Sequence, residues 1–160
     1  MSRSFRDALS SFATGVTVVT AHHESQDWGM TCNSFASVSL QPQLVLWSIR
    51  QSASSRAAFV HSGGYTVNVL SGQQEGLARQ FSTGSMQERF AGVPADRLDT
   101  GRLKLAGGSA WFDCALLNVI AAGDHDILLG EVKNFGWTPA EPLIFARSQF
   151  LAPGQLAACD

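Results

Sequence analysis

No stretch of this chain is basic enough to track a phosphate backbone, and its formal net charge is −2. Nucleic acid and anionic membrane are therefore not expected as partners. No apolar run is long enough to span a bilayer. The start, MSRSFRDALSSF, mixes polar and apolar residues instead of setting an apolar core behind a charged leader, so no signal segment is expected. Cys32, Cys114 and Cys159 lie far apart and form no CxxC pair, which argues against a zinc site or a disulfide framework. The phosphate-loop pattern GxxxxGKS/T, a GxGxxG turn after a strand and a GxSxG elbow are all missing. His22, His23, His61 and His125 do not stand at metal-ligand spacing. These absences leave a soluble, cytoplasmic protein without an evident catalytic triad.

What is present is apolar material. Hydrophobic residues make up 45% of 160, enough for a real core, and the length suits one domain over residues 1–160. Phe5, Leu9 and Phe12 recur at helical spacing, with Ser4 as a cap and Gly15 as a stop. GVTVVTA switches to period two and predicts a strand from Val16 to Ala21. HHESQDWG reads as a polar turn, with His22 and His23 in solvent. MTCNSFASVSL reads as a second strand forming a hairpin with the first. After a break at Pro42, LVLWSI is apolar on both faces and predicts a central, buried strand.

SASSRAAFVHSGG fits a short helix, and YTVNVL a strand. Ser71 with Gln74, and Ser85 with Glu88, are spaced as capping boxes for two further helices. AWFDCALLNVIAAG and HDILLGEVKNFGWT predict two long strands joined at AGDH, and EPLIFARSQFLAP one last strand. The total is roughly six or seven strands linked by hairpins, with few helices. That pattern predicts a mainly β, antiparallel barrel and not a doubly wound sheet.

Three segments carry possible chemistry. In an unbroken strand, Thr31, Asn33, Phe35, Ser37 and Ser39 share one face. That face is either simply wetted or a wall whose backbone and short side chains meet a heteroaromatic ring. RQSASS, from Arg50 to Ser55, joins a buried strand to a helix start, where N–H groups, hydroxyls and an arginine favour an anion. An ordinary Ser N-cap explains the same residues. Gly123-Asp124-His125 is either a plain hairpin turn or a means of bringing His125 to the barrel mouth.

In this order, FATGVTVVTA, GMTCNSFASVSLQPQLVLWSI, GGYTVNVLSGQQEGLARQFS, ERFAGVP, AGDHDILLGEV and EPLIFARSQF resemble the flavin reductase-like, FMN-binding split-barrel family. Within it the chain is similar to the reductase components of two-component flavin-dependent monooxygenases. The resemblance implies a homodimer of split β-barrels that reduces FMN or FAD with NADH or NADPH and supplies a separate flavin-dependent oxygenase. It also implies that backbone groups of Met30, Thr31, Cys32 and Asn33 face the flavin's polar edge. Ser34, Ser48, Ile49, Arg50, Ser52 and Ser54 would approach its ribityl chain and phosphate. Phe81 would border the flavin or its adenine half, and His125 would place the nicotinamide. Pro42-Gln43, Ser148 and Phe150 depart from the family pattern, which commonly has paired prolines, a glycine and a tyrosine there. The same fold can hold flavin with no reductase activity, for storage, sensing or assembly.

Overall fold

The computed structural model describes residues 3–151; Cys159 lies outside them. A helix, α1 (Arg3–Ser10), leads into strands β1 (Thr14–Gly15), β2 (Thr17–His23) and β3 (Gln26–Cys32). Then come β4 (Ala36–Leu40), β5 (Gln43–Arg50), α2 (Arg56–His61), β6 (Gly64–Val69), α3 (Glu75–Gln80) and α4 (Met86–Phe90). The chain continues through β7 (Ala95–Arg97), β8 (Leu103–Leu105), β9 (Ala110–Ala122), β10 (His125–Trp137), β11 (Ile144–Ala146) and β12 (Gln149–Leu151). Among the described residues no helix is long and apolar enough to cross a membrane.

The main sheet has seven antiparallel strands in the order β3-β2-β6-β9-β10-β5-β4. Its two outermost strands, β3 and β4, follow one another in the chain through Asn33, Ser34 and Phe35 alone. The four Cα–Cα steps from Cys32 to Ala36 reach about 14 Å at most. The sheet must therefore curl until its edges adjoin, and the short link crosses the seam. Ser34 secures the crossing: its hydroxyl donates to the Ser48 carbonyl (3.1 Å) and accepts from the Ser48 N–H (3.0 Å).

This break corrects the sequence reading of MTCNSFASVSL as one strand. Thr31, Asn33, Phe35, Ser37 and Ser39 do not share a face, because β3 pairs with β2 and β4 pairs with β5. LVLWSI lies one place in from the edge, and β5 alternates: Val45, Trp47 and Ile49 are buried, while Leu44, Leu46 and Ser48 are half-buried. The strands buried along most of their length on both faces are β2 and β6. On β2, Val19 enters the interior with Trp47, Phe59, Tyr65 and Leu128, while Val18 joins a second cluster with Leu70, Ala78, Phe81 and Leu143.

Other local expectations shift for local reasons. The first helix ends at Ser10, and Gly15 pairs with Ile144 instead of stopping it. His22 and His23 belong to β2, and His22 Nδ1 lies 2.7 Å from Asp27, which Arg97 also grips at 2.7 Å. The turn is only Glu24-Ser25, both with positive φ, the conformation that suits the twist of a two-residue hairpin. The last block is a hairpin, β11–β12, turning at Arg147-Ser148 with φ of 49° and 63°. The Ser85–Glu88 capping box is complete. Of the other, only the Gln74 half forms, accepting from the Ser71 N–H at 2.9 Å, and the helix starts later, at Glu75.

Candidate functional site

Three strand ends meet at one mouth of the curled sheet: the end of β3, the end of β5 and the start of β10. They enclose a cavity of about 340 Å³ lined by Met30, Thr31, Cys32, Asn33, Ser34, Ser48, Arg50, Ala53 and His125. Arg50 and His125 are opposite each other in the β5–β10 ladder, close enough for side chains on one face to interact. The β9–β10 turn is only Gly123-Asp124, with φ of 64° at Gly123, so His125 is delivered at the very start of its strand. Its Nδ1 lies 2.7 Å from Asp124 Oδ1. That hydrogen bond holds the Asp124 carboxyl below the usual carboxylate range. With Nδ1 engaged as donor to the carboxylate, Nε2 is left for a ligand.

The loop after β5 is held from below. Asp126 is 1% exposed and forms an ion pair with Arg56. Its other oxygen accepts from Gln51 Nε2 at 3.0 Å. The Gln51 amide, and then the Arg56 guanidinium, keep the Asp126 carboxyl below its ordinary range. The Gln51 N–H donates to the Asp124 carbonyl at 3.0 Å, tying the loop to the β9–β10 turn. Arg56 is thereby committed to Asp126, and Arg50 is the cation left at the cavity wall. No carboxylate lines that wall.

The β3 wall is mostly self-satisfied. The Thr31 N–H donates to the Phe81 carbonyl and its hydroxyl to the Ala78 carbonyl. Because backbone groups alternate along a strand, Met30 and Cys32 turn theirs toward β2. The Cys32 thiol stands 3.1 Å from the Thr17 hydroxyl, whose own proton goes to the Cys32 carbonyl. The thiol is therefore the donor, and burial pushes its pKa up. Ser34 is engaged with Ser48.

Four expected site residues stand elsewhere. Ile49 points into the interior at 1% exposure, because it alternates with Ser48 and Arg50. Ser52 and Ser54 are exposed on the loop beside Arg50 but off the cavity wall. Phe81 is fully buried and has no surface to offer a flavin. It packs edge-on against Phe90, with centroids 4.9 Å apart, directly beneath Gly29, where a Cβ would come within 2.6 Å of the Phe81 ring. Phe81 supports the strand that forms the wall and is not itself the wall. Ala53 and Asp124 were missed as single residues, although both lie inside segments singled out for chemistry. The Asp126–Gln51–Arg56 network carries no sequence signal, since its partners are 70 and 75 positions apart.

The family model for the flavin reductase like domain matches residues 9–153. The chain belongs to this family. It is 42% identical over 149 residues to the FMN reductase (NADH) of Agrobacterium fabrum, covering 93% of this chain and 84% of that one. It is 38% identical to the reductase component of a flavin-dependent trigonelline monooxygenase from Acinetobacter baylyi. That match covers 96% of this chain but spans about half, 49%, of the longer relative. An NADH:FAD oxidoreductase of Streptomyces globisporus, solved with NAD and FAD fragments, superposes with a TM-score of 0.87 at 35% identity. There the match covers 98% of this chain and 93% of the other.

Proposed function

We propose that this flavin reductase-like chain oxidises NADH or NADPH, reduces FMN or FAD, and hands the reduced flavin to a separate flavin-dependent oxygenase. The observation that carries this reading is the single cavity that gathers the β3 end, Arg50 and His125 in a member of this family. The donor set suits a flavin. Met30, Cys32 and Ala53 offer a short, apolar seat for a flat ring, and Arg50 offers the charge for a phosphate. The main-chain donors of Thr31 are spent, so the Asn33 amides are left to meet the ring's polar edge.

With both partners bound, the chemistry supplied is hydride passage from nicotinamide C4 to flavin N5. The chain needs no nucleophile for this. Its work is to hold the two rings at about 3–3.5 Å. His125, fixed through Asp124, orients the nicotinamide and transfers no proton. Two free thiols, Cys32 and Cys114, the latter pushed up to about 12 by burial, accord with work in the reducing cytoplasm.

The assembly is a homodimer of split barrels. An apolar groove of about 240 Å³ runs over the outer face of the sheet, with Phe35, Leu40, Leu44, Phe112, Val132 and Phe135 along it. Phe112 stacks between Phe35 and Phe135 at 5.6 and 6.4 Å, and Leu40 is 86% exposed. A contiguous apolar face of this kind marks an interaction site, and β5 reads as apolar on both faces because a second copy covers the outer one. Phe35 follows Ser34, so the interface abuts the cavity. One cuvette tests the activity: NADH absorbance should fall on adding FMN to the purified protein. Flavin binding without that fall would leave a storage or sensing protein.

A further inference from the structure

Two of the residues that line the main cavity carry sulfur, Met30 and Cys32, and their chemistry differs. The Cys32 thiol donates to Thr17, and burial raises its pKa, so little reactive thiolate forms. The Met30 thioether has no proton to lose, and its lone pairs are nucleophilic at any pH. It also has an unusual neighbour. Ser55 stands at the start of α2 but makes no capping bond with its side chain. Ser55 is 4% exposed, and its hydroxyl donates to Met30 Sδ at 3.8 Å, the only hydrogen bond it makes among the described residues. A thioether is a weak acceptor, so a buried hydroxyl is committed to this sulfur at the expense of a helix cap. On the flavin-reducing reading of the cavity, we propose that Met30 is a site of reversible oxidation to the sulfoxide, which shuts the cavity when no oxygenase draws off the reduced flavin.

The oxidant comes from the reaction itself. Dioxygen that meets reduced flavin takes up two electrons and two protons and becomes hydrogen peroxide. Its O–O bond then breaks at Met30: one oxygen bonds to Sδ, which loses two electrons, and the other leaves as water with both protons. The product is polar where the thioether was apolar. Met30, Cys32 and Ala53 form the apolar seat of the flat ring, so the new oxygen intrudes on that seat and flavin affinity falls. Ser55 also decides the stereochemistry. A thioether sulfur has two lone pairs, and the Ser55 hydroxyl holds one of them. Oxygen is added at the other, so a single sulfoxide epimer forms. Each epimer has its own repair enzyme, and repair returns both the thioether and the affinity.

Aerobic turnover of NADH and FMN by the purified protein, with no oxygenase present, tests this by peptide mass spectrometry. Met86 is the internal control: it is half-buried like Met30 but lies on α4 at a separate hollow. Met30 should gain one oxygen atom well before Met86. The FMN dissociation constant should then be about tenfold higher, the cost of one poorly paired polar group in an apolar seat. One of the two methionine sulfoxide reductases, and not the other, should restore it. In Ser55→Ala both lone pairs are free, and each reductase alone should restore only part. Met30→Leu, followed from its own starting rate, should lose activity more slowly than the wild type. Equal oxidation of Met30 and Met86, or an oxidised Met30 that leaves FMN binding as before, overturns the proposal. A wild-type protein that does not oxidise NADH would instead overturn the functional reading, and its absorbance shows this before any mass is read.

Discussion

Two buried aspartates, each paired with an arginine, sit near opposite ends of the molecule. Asp113 on β9 is 3% exposed and meets Arg102, itself 8% exposed, at 2.7 Å. Thr66 and Thr100 complete its shell at 2.8 and 2.9 Å. Asp126 on β10 is as deeply buried, but the Arg56 side chain is 36% exposed. Asp113 pairs with Asn134, eight residues along β10 from Asp126, so roughly 27 Å of strand separates the two levels at ~3.4 Å per residue. The first pair clamps the β7–β8 hairpin onto the closed end of the sheet. Thr20 and Asn68 assist by bonding the Leu103 carbonyl and the Leu105 N–H. The second pair holds the loop that follows the cavity's arginine. One device serves stability where both charges are enclosed, and placement of a ligand site where one reaches water.

The widest separation should come from Asp113→Ala. It strands a buried guanidinium and should cost about 3–5 kcal/mol of stability, read by urea unfolding, while the folded variant still binds FMN as the wild type does. An equal loss of FMN affinity would show that the two ends are not independent. Asp126→Asn should do the reverse, with a smaller stability change and a fall in kcat/KM of about tenfold to a hundredfold as Arg50 and His125 lose their spacing. The pH dependence has a definite sign. Asp126 is held below the ordinary carboxylate value of about 3.9. Its contribution is therefore complete above that value and disappears as the pH falls through the lower folded one. In Asp126→Asn the acid limb of FMN binding should flatten.

At the cavity wall itself the effects should be smaller and divided between ligands. Arg50→Ala should weaken FMN about tenfold relative to riboflavin, the range for one charge-assisted hydrogen bond. His125→Ala should raise the KM for NADH by a similar factor with little change in flavin affinity. Equal binding of riboflavin and FMN by the wild type would remove Arg50 as an anchor. Unchanged NADH kinetics would remove His125.

What the sequence made legible follows the range of the interactions. Gly123-Asp124-His125 and the β3 end are short contiguous stretches at strand ends; local chemistry left each open between a plain structural role and a ligand role, the resemblance chose the second, and His125 and the β3 end do line one cavity. The break at Asn33 was hidden because the alternation of SFASVSL runs on in sequence, while the Ser34–Ser48 bond that crosses the seam spans 14 positions. Phe81 is a similar case: the resemblance implied a place beside the flavin, while its own helical spacing marked an apolar face, and the structure buries it beneath Gly29, far away in sequence. The buried charge networks were wholly unreadable, because Asp113 and Asp126 find their arginines on a loop and a helix that the fold brings to the sheet, at no spacing that marks a pair.

The smallest expected effect supplies the control for the comparison. Ser148 holds φ of 63° in the β11–β12 turn, away from both ion pairs. A left-handed conformation costs a non-glycine residue about 1–2 kcal/mol, and glycine returns ~0.5–1 of that as lost chain entropy. Ser148→Gly should therefore stabilise the fold by about 0.5 kcal/mol, a rise in Tm of roughly 1–2 °C at this length. FMN affinity should not move. If it rose in step with Tm, flavin binding would track global stability, and the separate role given to the Asp126 pair would lose its basis.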